Sequence, residues 1–341
     1  MATMSQRTLS ELSHGGQEGS IVIQIVRMWD CVVYPSQEFM GIDFLAIDSE
    51  EFPMHGCIPL SIADDFRLKL TEGKVYRIVF FEIGPRYQIN HLAVPFETVL
   101  YFHVSTRINE VTQGIERFPH LYFSFASYEQ LMSRNQASYH LTDIIGVLQA
   151  FTDVRLLTLP NNKGTVFKRD LFLTLFGGQT VQVTLFDPKI DEFDFMSTID
   201  LGYKPILAVA GLTLRDHQGL KHINSCSATK IYMNPSIREK TQLKIRFPYN
   251  GSPVRMLSVA DIEPLSACPY YGAYNTKIAS LLIMNPPAMK GLKFKVTAKI
   301  IKLQSKAGWY YHSGNCCSAG IESTQFGYEC QVHGATIPQK K

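Results

Sequence analysis

The residues with the clearest potential for chemistry lie in one segment, Gly308 to Gly334. It reads GWYYHSGNCCSAGIESTQFGYECQVHG and holds three of the seven cysteines and one of the two tryptophans. Cysteine thiolates and histidine imidazoles are ligands that structural zinc prefers, and four ligands normally surround the ion. The segment therefore indicates a metal site, or the remains of one, with four candidate ligands: Cys316, Cys317, Cys330 and His333.

The rest of the sequence holds no arrangement typical of an enzyme. It lacks the phosphate-binding pattern G-x-x-x-x-G-K-S/T, the nucleophile motif G-x-S-x-G and the zinc motif H-E-x-x-H. The segment HGGQEG, from His14 to Gly19, is glycine-rich but has no lysine to contact a phosphate. The ten histidines are scattered along the chain. The sequence therefore predicts a binding protein that is not an enzyme.

Composition narrows the class of protein further. The 341 residues are 45% hydrophobic and 18% charged with a net charge of +3, which is typical of folded globular domains and suffices for two or three of them. No apolar run approaches the roughly 20 residues that span a bilayer. Residues 1–19 are polar and glycine-rich, which predicts a flexible tail without a signal peptide. Four cysteines are scattered singly, which favours a reducing, intracellular setting over a disulfide framework.

An internal repeat organises the first two thirds of the chain. DFLAIDSEEFPMHGCIPLSIADDF, from Asp43 to Phe66, aligns without a gap to DLFLTLFGGQTVQVTLFDPKIDEF, which begins 127 residues later at Asp170. Each copy predicts a strand, a turn, a second strand and a short amphipathic helix that ends on phenylalanine. The flanking sequences add one strand before each copy and two strands after it.

This order of five strands, with a helix between the third and the fourth, is the plan of the OB-fold, a Greek-key barrel. We predict an all-β protein with two complete five-stranded OB-folds in tandem, at residues 20–106 and 141–236. The alternative is a pair of unrelated β-sandwiches. Residues 107–140 form a linker with a short helix, which we expect to pack against the second barrel because its first half is aromatic. Residues 237–290 form a connector. Residues 291–341 form a partial third OB-fold with one predicted strand, Leu292–Gln304, before the degenerate zinc-ribbon segment.

Taken together, these features resemble the large DNA-binding subunits of replication protein A, especially those of the plant type. The resemblance rests on IVRMWDCVVYPSQEF in the first unit, on IIGVLQAFTDV, VQVTLFDPKIDEF and INSCSATKIYMNPSI in the second, and on RMLSVADIEPL and VTAKIIKLQSKAGWYY beyond them. It covers nearly the whole chain through the order and spacing of several weak motifs. Because the third unit is incomplete, the chain resembles a truncated or diverged copy.

The resemblance implies sequence-independent binding of single-stranded DNA on stacking aromatics within a basic groove. The family's first stacking position corresponds to Phe186, for which a place in the barrel core is the alternative, and the second corresponds to His217. In the first unit the counterpart of Phe186 is Pro59, so Trp29, Tyr87 and Arg86 are the candidate replacements, with a half-buried core position as the alternative for Trp29. The basic residues expected near the grooves are Arg27, Lys163, Lys168, Arg169, Arg215 and Lys221.

The same resemblance interprets the cysteine segment as a zinc ribbon that has lost one ligand. Gly314 stands where the family has its first cysteine, Cys317 matches the second, and Cys330 and His333 match the last pair. Cys316 and His312 do not have the spacing of the missing ligand. The sequence therefore favours a metal-free loop over a bound Zn2+.

Function and partners follow from the resemblance as expectations. We expect a nuclear protein of DNA replication, repair and recombination that binds single-stranded DNA and does not associate with membranes. The smaller replication protein A subunits are further candidate partners, although the family assembles through its third OB domain, which is only partial here. The alternative is a protein-interaction module, in a diverged or transposon-associated copy, with weak or no DNA binding. Pro59 and His217 favour that alternative, and Phe186 favours DNA binding.

Overall fold

The computed structural model describes residues 5–33, 36–86, 91–134, 140–158, 164–217, 220–248, 251–258, 274–285, 289, 294–299, 312–314, 320–325 and 327–340. Residues 1–295 form one compact unit and residues 296–341 form another. The first unit contains two closed β-barrels joined by a packed linker. Among the described residues, no helix is long and apolar enough to cross a membrane.

The first barrel is a nine-stranded sheet with one helix. Its strands are β1 (Gln6–Arg7), β2 (Gly15–Gly16), β3 (Ser20–Val33), β4 (Glu38–Ile47), β5 (Pro53–Pro59), β6 (Val75–Val79), β7 (Glu82–Pro85), β8 (Thr98–Tyr101) and β9 (Arg107–Val111). The spatial order is β2-β7-β8-β5-β4-β3-β6-β9, with β1 beside β3. Helix α1 (Leu60–Arg67) follows β5 and buries Ala63 and Phe66, as the sequence predicts. The strands β6 and β7 together make the fourth strand of an OB-fold.

The second barrel repeats this plan. Its strands are β10 (Thr142–Thr152), β11 (Arg155–Thr158), β12 (Thr165–Thr174), β13 (Thr180–Phe186), β14 (Ile206–His217), β15 (Leu220–Asn224) and β16 (Lys230–Met233). Pairing of β10 with both β12 and β14 closes the barrel. The predicted helix ending at Phe193 is wrong, because turns follow β13. The helix α3 (Ser197–Asp200) begins four residues after Phe193, and the rings of Phe193 and Phe195 contact each other before it.

Alternation along the strands explains both cores. In β13, Val181, Val183 and Leu185 point inward, so Gln182, Thr184 and Phe186 lie on the outer face. The same alternation in β4 and β5 sends Ile42, Phe44 and Ile58 into the first core. The prediction of two complete OB-folds is confirmed.

Two predicted boundaries are wrong. Residues 5–16 are part of the first barrel rather than a flexible tail: a short 3-10 helix, Leu9–Glu11, buries Leu9 in the barrel core, and the Leu9 N–H donates to Asp48 Oδ2 at 2.8 Å. At the other end, β9 pairs with β6, so the barrel extends beyond residue 106 into the predicted linker.

The linker packs against the second barrel, as predicted. A 3-10 helix, Ile115–Arg117, is followed by α2 (Tyr128–Ser133), which Ser127 caps at its N-terminus through the Gln130 N–H. Leu131 of α2 enters the second core, and Phe123 and Phe125 stack on the outside of β10 and β14. After the barrel, α4 (Arg238–Arg246) buries Leu243 on the same outer surface, and β17 (Arg255–Leu257) pairs in parallel with β10.

The remaining described segments are short. They comprise β18 (Tyr274–Asn275), α5 (Ile278–Ile283), β19 (Phe294–Lys295), β20 (His312–Gly314), β21 (Ile321–Thr324), β22 (Gly327–Cys330), β23 (Gly334–Thr336) and β24 (Pro338–Lys340). Strands β21, β22 and β23 form a three-stranded antiparallel sheet, and β20 pairs with β24. The predicted strand Leu292–Gln304 is wrong in part, because only residues 294–295 of its described residues are strand and 296–299 are not; residues 292–293 and 300–304 lie outside the described residues.

Candidate nucleic-acid interface

The outer face of the second barrel carries an aromatic and two cations in one row. Lys168 on β12 pairs directly with Phe186 on β13, and Arg155 on β11 pairs directly with Lys168. Side chains that are directly opposite each other on neighbouring strands lie on the same face and within contact range. Phe186 is half-buried, so part of its ring is available to a ligand. Strand register therefore brings together two residues predicted from sequence, Phe186 and Lys168, and adds Arg155.

The carboxylate of Asp170 is buried and pairs with both cations of this row. Its carboxylate is 1% exposed and accepts a hydrogen bond from Thr184 Oγ1 at 2.7 Å. Lys168 Nζ lies 3.2 Å from Asp170 Oδ2, and the Arg155 guanidinium contacts the same oxygen. One buried carboxylate thus holds two cations beside Phe186, and the three charges sum to +1. The Phe186 N–H donates to Ser225 Oγ at 2.8 Å, which fixes the end of β13.

The other end of the face is polar and open to solvent. Arg215 pairs with His222, which lies beside Gln182 in the neighbouring strand β13, and all three side chains are exposed. Four residues of strand separate this row from the row of Phe186, which is about 13 Å along the strands. The second barrel therefore presents one continuous open face with a cation at each end.

The first barrel has different residues at the corresponding positions. In place of Arg155, Lys168 and Phe186 it has Cys31, Gly41 and Pro59, which share one row. No residue with a side chain fits at position 41, because the φ of Gly41 is +142° and a Cβ there would lie 2.3 Å from the Ile58 carbonyl oxygen. The first barrel thus has neither the aromatic nor the cations of this row.

The face of the first barrel is also covered. Leu45 and His55, which pair across β4 and β5, are 0% and 2% exposed. They lie beneath Ala93 and Val94 of the loop between β7 and β8, and Tyr122 of the linker packs on the same cluster. The Ala93 N–H donates to His55 Nδ1 at 3.1 Å, which places the ring proton on Nε2, 3.7 Å from Asp43.

Asp43 is the counterpart of Asp170, but it has different partners. No lysine or arginine pairs with it among the described residues; the Cys57 thiol, at the position of Thr184, is its hydrogen-bond donor. Burial, followed by the charge of Asp43, raises the pKa of the Cys57 thiol well above its ordinary value. The thiol therefore stays protonated and neutral on this closed face.

Arg27 lies in the contact between the barrels rather than in a groove, which corrects the sequence prediction, and Trp29 has the half-buried core position that was its alternative. Arg27 is 3% exposed and pairs with Asp143 of the second barrel at 3.4 Å. Asp143 also accepts from the Gly211 N–H at 2.8 Å and from the Ser124 N–H at 3.1 Å. Trp29 is half-buried, with its ring edge-on to His55 at 5.7 Å.

Arg169 is likewise buried, and the prediction of a groove residue is wrong. It pairs with Leu185, so strand alternation directs it to the inside of the barrel. Its guanidinium lies 5.3 Å and 5.2 Å from the ring centroids of Phe151 and Phe195. Burial lowers the pKa of this guanidinium.

Of the remaining predicted residues, the structure describes the side chains of Lys221 and Arg86. Lys221 Nζ contacts the Arg134 carbonyl oxygen and lies 2.6 Å from Asp216 Oδ2. Arg86 follows β7 and is half-buried. The backbone of His217 ends β14, and its side chain, like Tyr87 and Lys163, lies outside the described residues.

The structure describes two of the four candidate zinc ligands. Cys330 ends β22 and is buried, and its Sγ lies 3.8 Å from His333 Nδ1 across the tight connection to β23. These two donors fit half of a tetrahedral zinc site. Among the described residues no group of three potential ligands occurs; Cys316 and Cys317 lie outside them.

Two exposed or half-buried residues near the row were missed from the sequence: Arg155 of the open face, and Phe167 on the opposite side of the same hairpin. Arg155 is separated from Lys168 by a loop, so only the strand register reveals their contact. Phe167 is 50% exposed on the β11–β12 hairpin, where it pairs with the exposed Leu156. Alternation puts Phe167 on the face opposite Lys168, together with Arg169, so it could not have predicted that Phe167 is exposed.

Comparison with known proteins agrees with this architecture. Residues 130–234 match the family model of the replication protein A OB domain, which covers the second barrel. The chain is 28% identical over 287 residues, or 82% of its length, to the replication protein A 70 kDa DNA-binding subunit of Xenopus tropicalis. It is 23% identical over 269 residues, or 74% of its length, to a replication protein A 70 kDa DNA-binding subunit of rice, Oryza sativa subsp. japonica.

The chain spans less than half the length of these curated relatives, 44% of the Xenopus protein and 42% of the rice protein. Among solved structures, it is similar to a replication protein A heterotrimer bound to ssDNA, with a TM-score of 0.49 and 19% identity over 98% of this chain and 76% of that one. The chain is similar to the large DNA-binding subunits of replication protein A, and its residues 130–234 match the OB-domain model of that family.

Proposed function

We propose that the chain binds single-stranded DNA without sequence preference, through the open face of the second barrel. The observation that carries the proposal is the row of Arg155, Lys168 and Phe186 on an accessible OB-fold face. Bases of any kind can stack on an aromatic ring, and each such contact contributes about 1–3 kcal/mol. Lys168 and Arg155 can bind phosphates on either side of the stacked base.

The buried carboxylate of Asp170 is expected to weaken the binding of phosphates to this row. Because it neutralises one of the two cations, the row is weakly rather than strongly basic. A phosphate that approaches Lys168 competes with Asp170 for the ammonium, which limits the affinity gained from each contact. Moderate affinity with a clear salt dependence is therefore expected, and log affinity falls by about 0.7 per log unit of salt for each phosphate neutralised on single strands.

Binding of a fluorescent oligo-dT of about 30 nucleotides, followed by anisotropy at two salt concentrations, tests the proposal. We expect saturable binding that weakens as salt is raised, and comparable binding of a mixed-sequence strand. Absence of binding at micromolar protein in low salt would contradict the proposal. It would favour the alternative, an OB-fold protein-interaction module with little affinity for DNA.

A role in replication, repair and recombination, without catalytic activity, follows from the same proposal. The named relatives are DNA-binding subunits, and the nucleus is the location proposed for a chain that coats exposed chromosomal strands. The smaller replication protein A subunits are the proposed protein partners. Co-purification with those subunits tests the assembly, and imaging of a tagged chain tests the location.

For the cysteine segment we propose a metal-free fold. Gly314 replaces one expected ligand, and Cys330 and His333 supply only half of a tetrahedral set. Metal analysis of the purified chain should find well under one zinc per chain, and a chelator should leave its melting temperature unchanged. One equivalent of zinc that Cys330→Ser removes would contradict this proposal.

A further inference from the structure

The second barrel has a cleft on strands that do not carry the row of Phe186. The row lies on β11, β12 and β13, whereas the cleft lies between β10, the start of β14 and α4. Its volume is about 530 Å3, within the usual range for ligand-binding sites. We call it the β10–α4 cleft, and its lining includes Val147, Gln149, Lys204, Ile206, Lys244 and Phe247.

The floor of the β10–α4 cleft is apolar. Val147 of β10 pairs directly with Ile206 of β14, and Phe247 after α4 belongs to the same hydrophobic cluster. All three are buried in the fold and still contribute surface to the cleft. A concave apolar floor favours an apolar side chain, because its binding removes apolar surface from water.

The rim of the cleft is fixed by Asn234. Its N–H donates to the Ile206 carbonyl oxygen at 2.8 Å, and its Oδ1 accepts from the Ile206 N–H at 3.1 Å. Its side-chain amide donates to the Tyr203 hydroxyl at 3.3 Å, and its carbonyl oxygen accepts from Lys240 Nζ at 3.3 Å. One residue thus connects β14, the loop before it and α4. The cleft is therefore formed before a ligand arrives, which removes an ordering cost from binding.

The polar groups of the lining are positive or neutral. Lys204 is half-buried, and its Nζ donates to Gln149 Oε1, a neutral acceptor, at 2.6 Å. Burial, followed by the charge of Arg255, lowers the pKa of Lys204. Lys244 is the second cation of the lining, and no carboxylate occurs among the described lining residues. A carboxylate on a ligand would supply the counter-charge.

The surroundings of the cleft add further positive charge. Helix α4 reads REKTQLKIR, in which four cations accompany one acid. Arg255 is exposed on β17, which pairs with β10. Both DNA and an acidic peptide are attracted to such a surface, but a peptide also brings a large apolar side chain for the floor. An apolar centre with a polar rim is the usual anatomy of a protein-binding site.

We propose that the β10–α4 cleft binds a segment of a partner protein in which a large apolar side chain is flanked by aspartate or glutamate. The apolar side chain occupies the floor over Val147 and Ile206, and the carboxylates pair with Lys204 and Lys244. This site goes beyond the proposed function, because it uses none of the residues in the row of Phe186. The chain can therefore bind a protein and single-stranded DNA at the same time.

Arrays of short synthetic peptides test the proposal on the full chain. Each peptide of the first array combines leucine, isoleucine or phenylalanine with aspartate and glutamate. Two matched arrays carry asparagine and glutamine, or lysine, in place of the acids. We expect binding to the acidic array alone, and loss of binding when the apolar residues of a bound peptide are replaced by alanine. Equal binding to the acidic and amide arrays, or none to the acidic array, would contradict the proposal.

Two variants then locate the site, with the best-bound acidic peptide as a labelled probe for anisotropy. Lys204→Gln removes the cation and should weaken binding about three- to tenfold. Gln149→Glu keeps the acceptor of Lys204 but adds a carboxylate that neutralises it within the chain, so it should weaken binding by a similar factor. Arg117→Gln is the matched control: Arg117 is exposed on the 3-10 helix of the linker, and its loss should leave binding unchanged.

The outcomes separate this inference from the proposed function. If Gln149→Glu binds the acidic peptide as tightly as Arg117→Gln, the cleft is not the docking site and the inference is wrong. If oligo-dT displaces the peptide, or if Lys204→Gln weakens oligo-dT binding, the cleft is a nucleic-acid site and the inference is again wrong. A wild-type chain that binds the peptide but no DNA contradicts the proposed function alone. Thermal unfolding identifies losses from misfolding, and Gln149→Glu decides the matter if Lys204→Gln is unstable.

Discussion

The two barrels share one backbone plan but have opposite surfaces at the position where OB-folds bind ligands. The second barrel exposes a row of Arg155, Lys168 and Phe186, whereas the first has a cysteine, a glycine and a proline there. The second face is open to solvent. The first lies beneath its own β7–β8 loop and the linker. A repeated fold therefore does not imply a repeated binding site.

The buried carboxylate shows how the two faces differ chemically. Asp170 holds two cations at a solvent-accessible row, and Asp43 at the corresponding position holds a thiol beneath a packed loop. A carboxylate with exposed cations can exchange them with a phosphate. A carboxylate whose partner is a half-buried, neutral thiol offers no cation to a phosphate, so this site of the first barrel lacks the chemistry of the row in the second.

Removing Arg27 should have the largest effect on this arrangement. Arg27→Ala leaves Asp143 buried without its cation, so we expect the free energy of unfolding to fall by about 3–5 kcal/mol. The measurement is chemical denaturation of the full chain. Arg67→Ala is the control, because Arg67 forms a surface pair with Asp30 at 2.7 Å and its loss should cost about 0–1 kcal/mol.

A second variant tests whether the loss of stability comes from the unpaired charge of Asp143. Arg27→Leu with Asp143→Asn removes the unpaired charge and keeps an acceptor for the Gly211 N–H, so this double variant should be less destabilised than Arg27→Ala. If Arg27→Ala costs no more than Arg67→Ala, the Arg27–Asp143 pair is not buried between the barrels in solution, and the first barrel is not held against the second by it.

Removing Phe186 should have the next largest effect, and on binding rather than on folding. Phe186→Ala should weaken oligo-dT binding by about 1–3 kcal/mol, the usual contribution of one stacked base. Pro59→Ala, at the corresponding position of the first barrel, should leave binding unchanged. Anisotropy titrations at one salt concentration measure both.

The reverse substitution sharpens the same point. Pro59→Phe restores an aromatic to the first barrel, but the adjoining face lies beneath Ala93 and Val94, so no gain in affinity is expected. Equal losses from Phe186→Ala and Pro59→Ala would show that both faces bind DNA. That result would overturn the division of roles between the barrels.

The parts of this picture that depend on local pattern could be predicted from the sequence. Alternation in β13 places Phe186 outside, and the gap-free repeat identifies Pro59 as its counterpart. The same rule, applied to β12, would have sent Arg169 inside. Lys168 and Phe186 could each be predicted, but their direct pairing needed the register of β12 against β13.

The parts that depend on distant contacts could not be predicted. An arginine such as Arg27 is expected at the surface when only the sequence is known. Its contact with Asp143, 116 residues away, is formed only in the folded chain. The cover over the first face is a loop whose residues 92–94 have no strand or helix pattern. Residues 5–16 look polar, yet one leucine and one hydrogen bond to Asp48 bind them to the barrel. Tertiary packing, rather than local preference, decides each of these.

The smallest expected effect comes from making the two carboxylate sites alike. Thr184 donates to Asp170 at 2.7 Å, and Cys57 at the corresponding position donates to Asp43. Cys57→Thr keeps a donor of similar size on a strand that favours β-branched residues, so the free energy of unfolding should change by less than about 1 kcal/mol. Cys57→Val has nearly the same shape without a donor, and leaving Asp43 unsatisfied should cost about 1–3 kcal/mol.

The pH dependence of the free energy of unfolding distinguishes the role of Cys57 as a hydrogen-bond donor from its role as a titrating thiol. The folded state raises the pKa of Cys57 above its ordinary value of 9.0, so its contribution to stability is present below pH 9.0 and is lost as the pH rises above it. Threonine does not titrate there, so Cys57→Thr should become more stable than the wild type in alkaline solution although the two are nearly equal at neutral pH. Parallel stability curves for wild type and Cys57→Thr would mean that the folded state does not raise the pKa of the thiol, and therefore that burial does not shield Cys57 in solution.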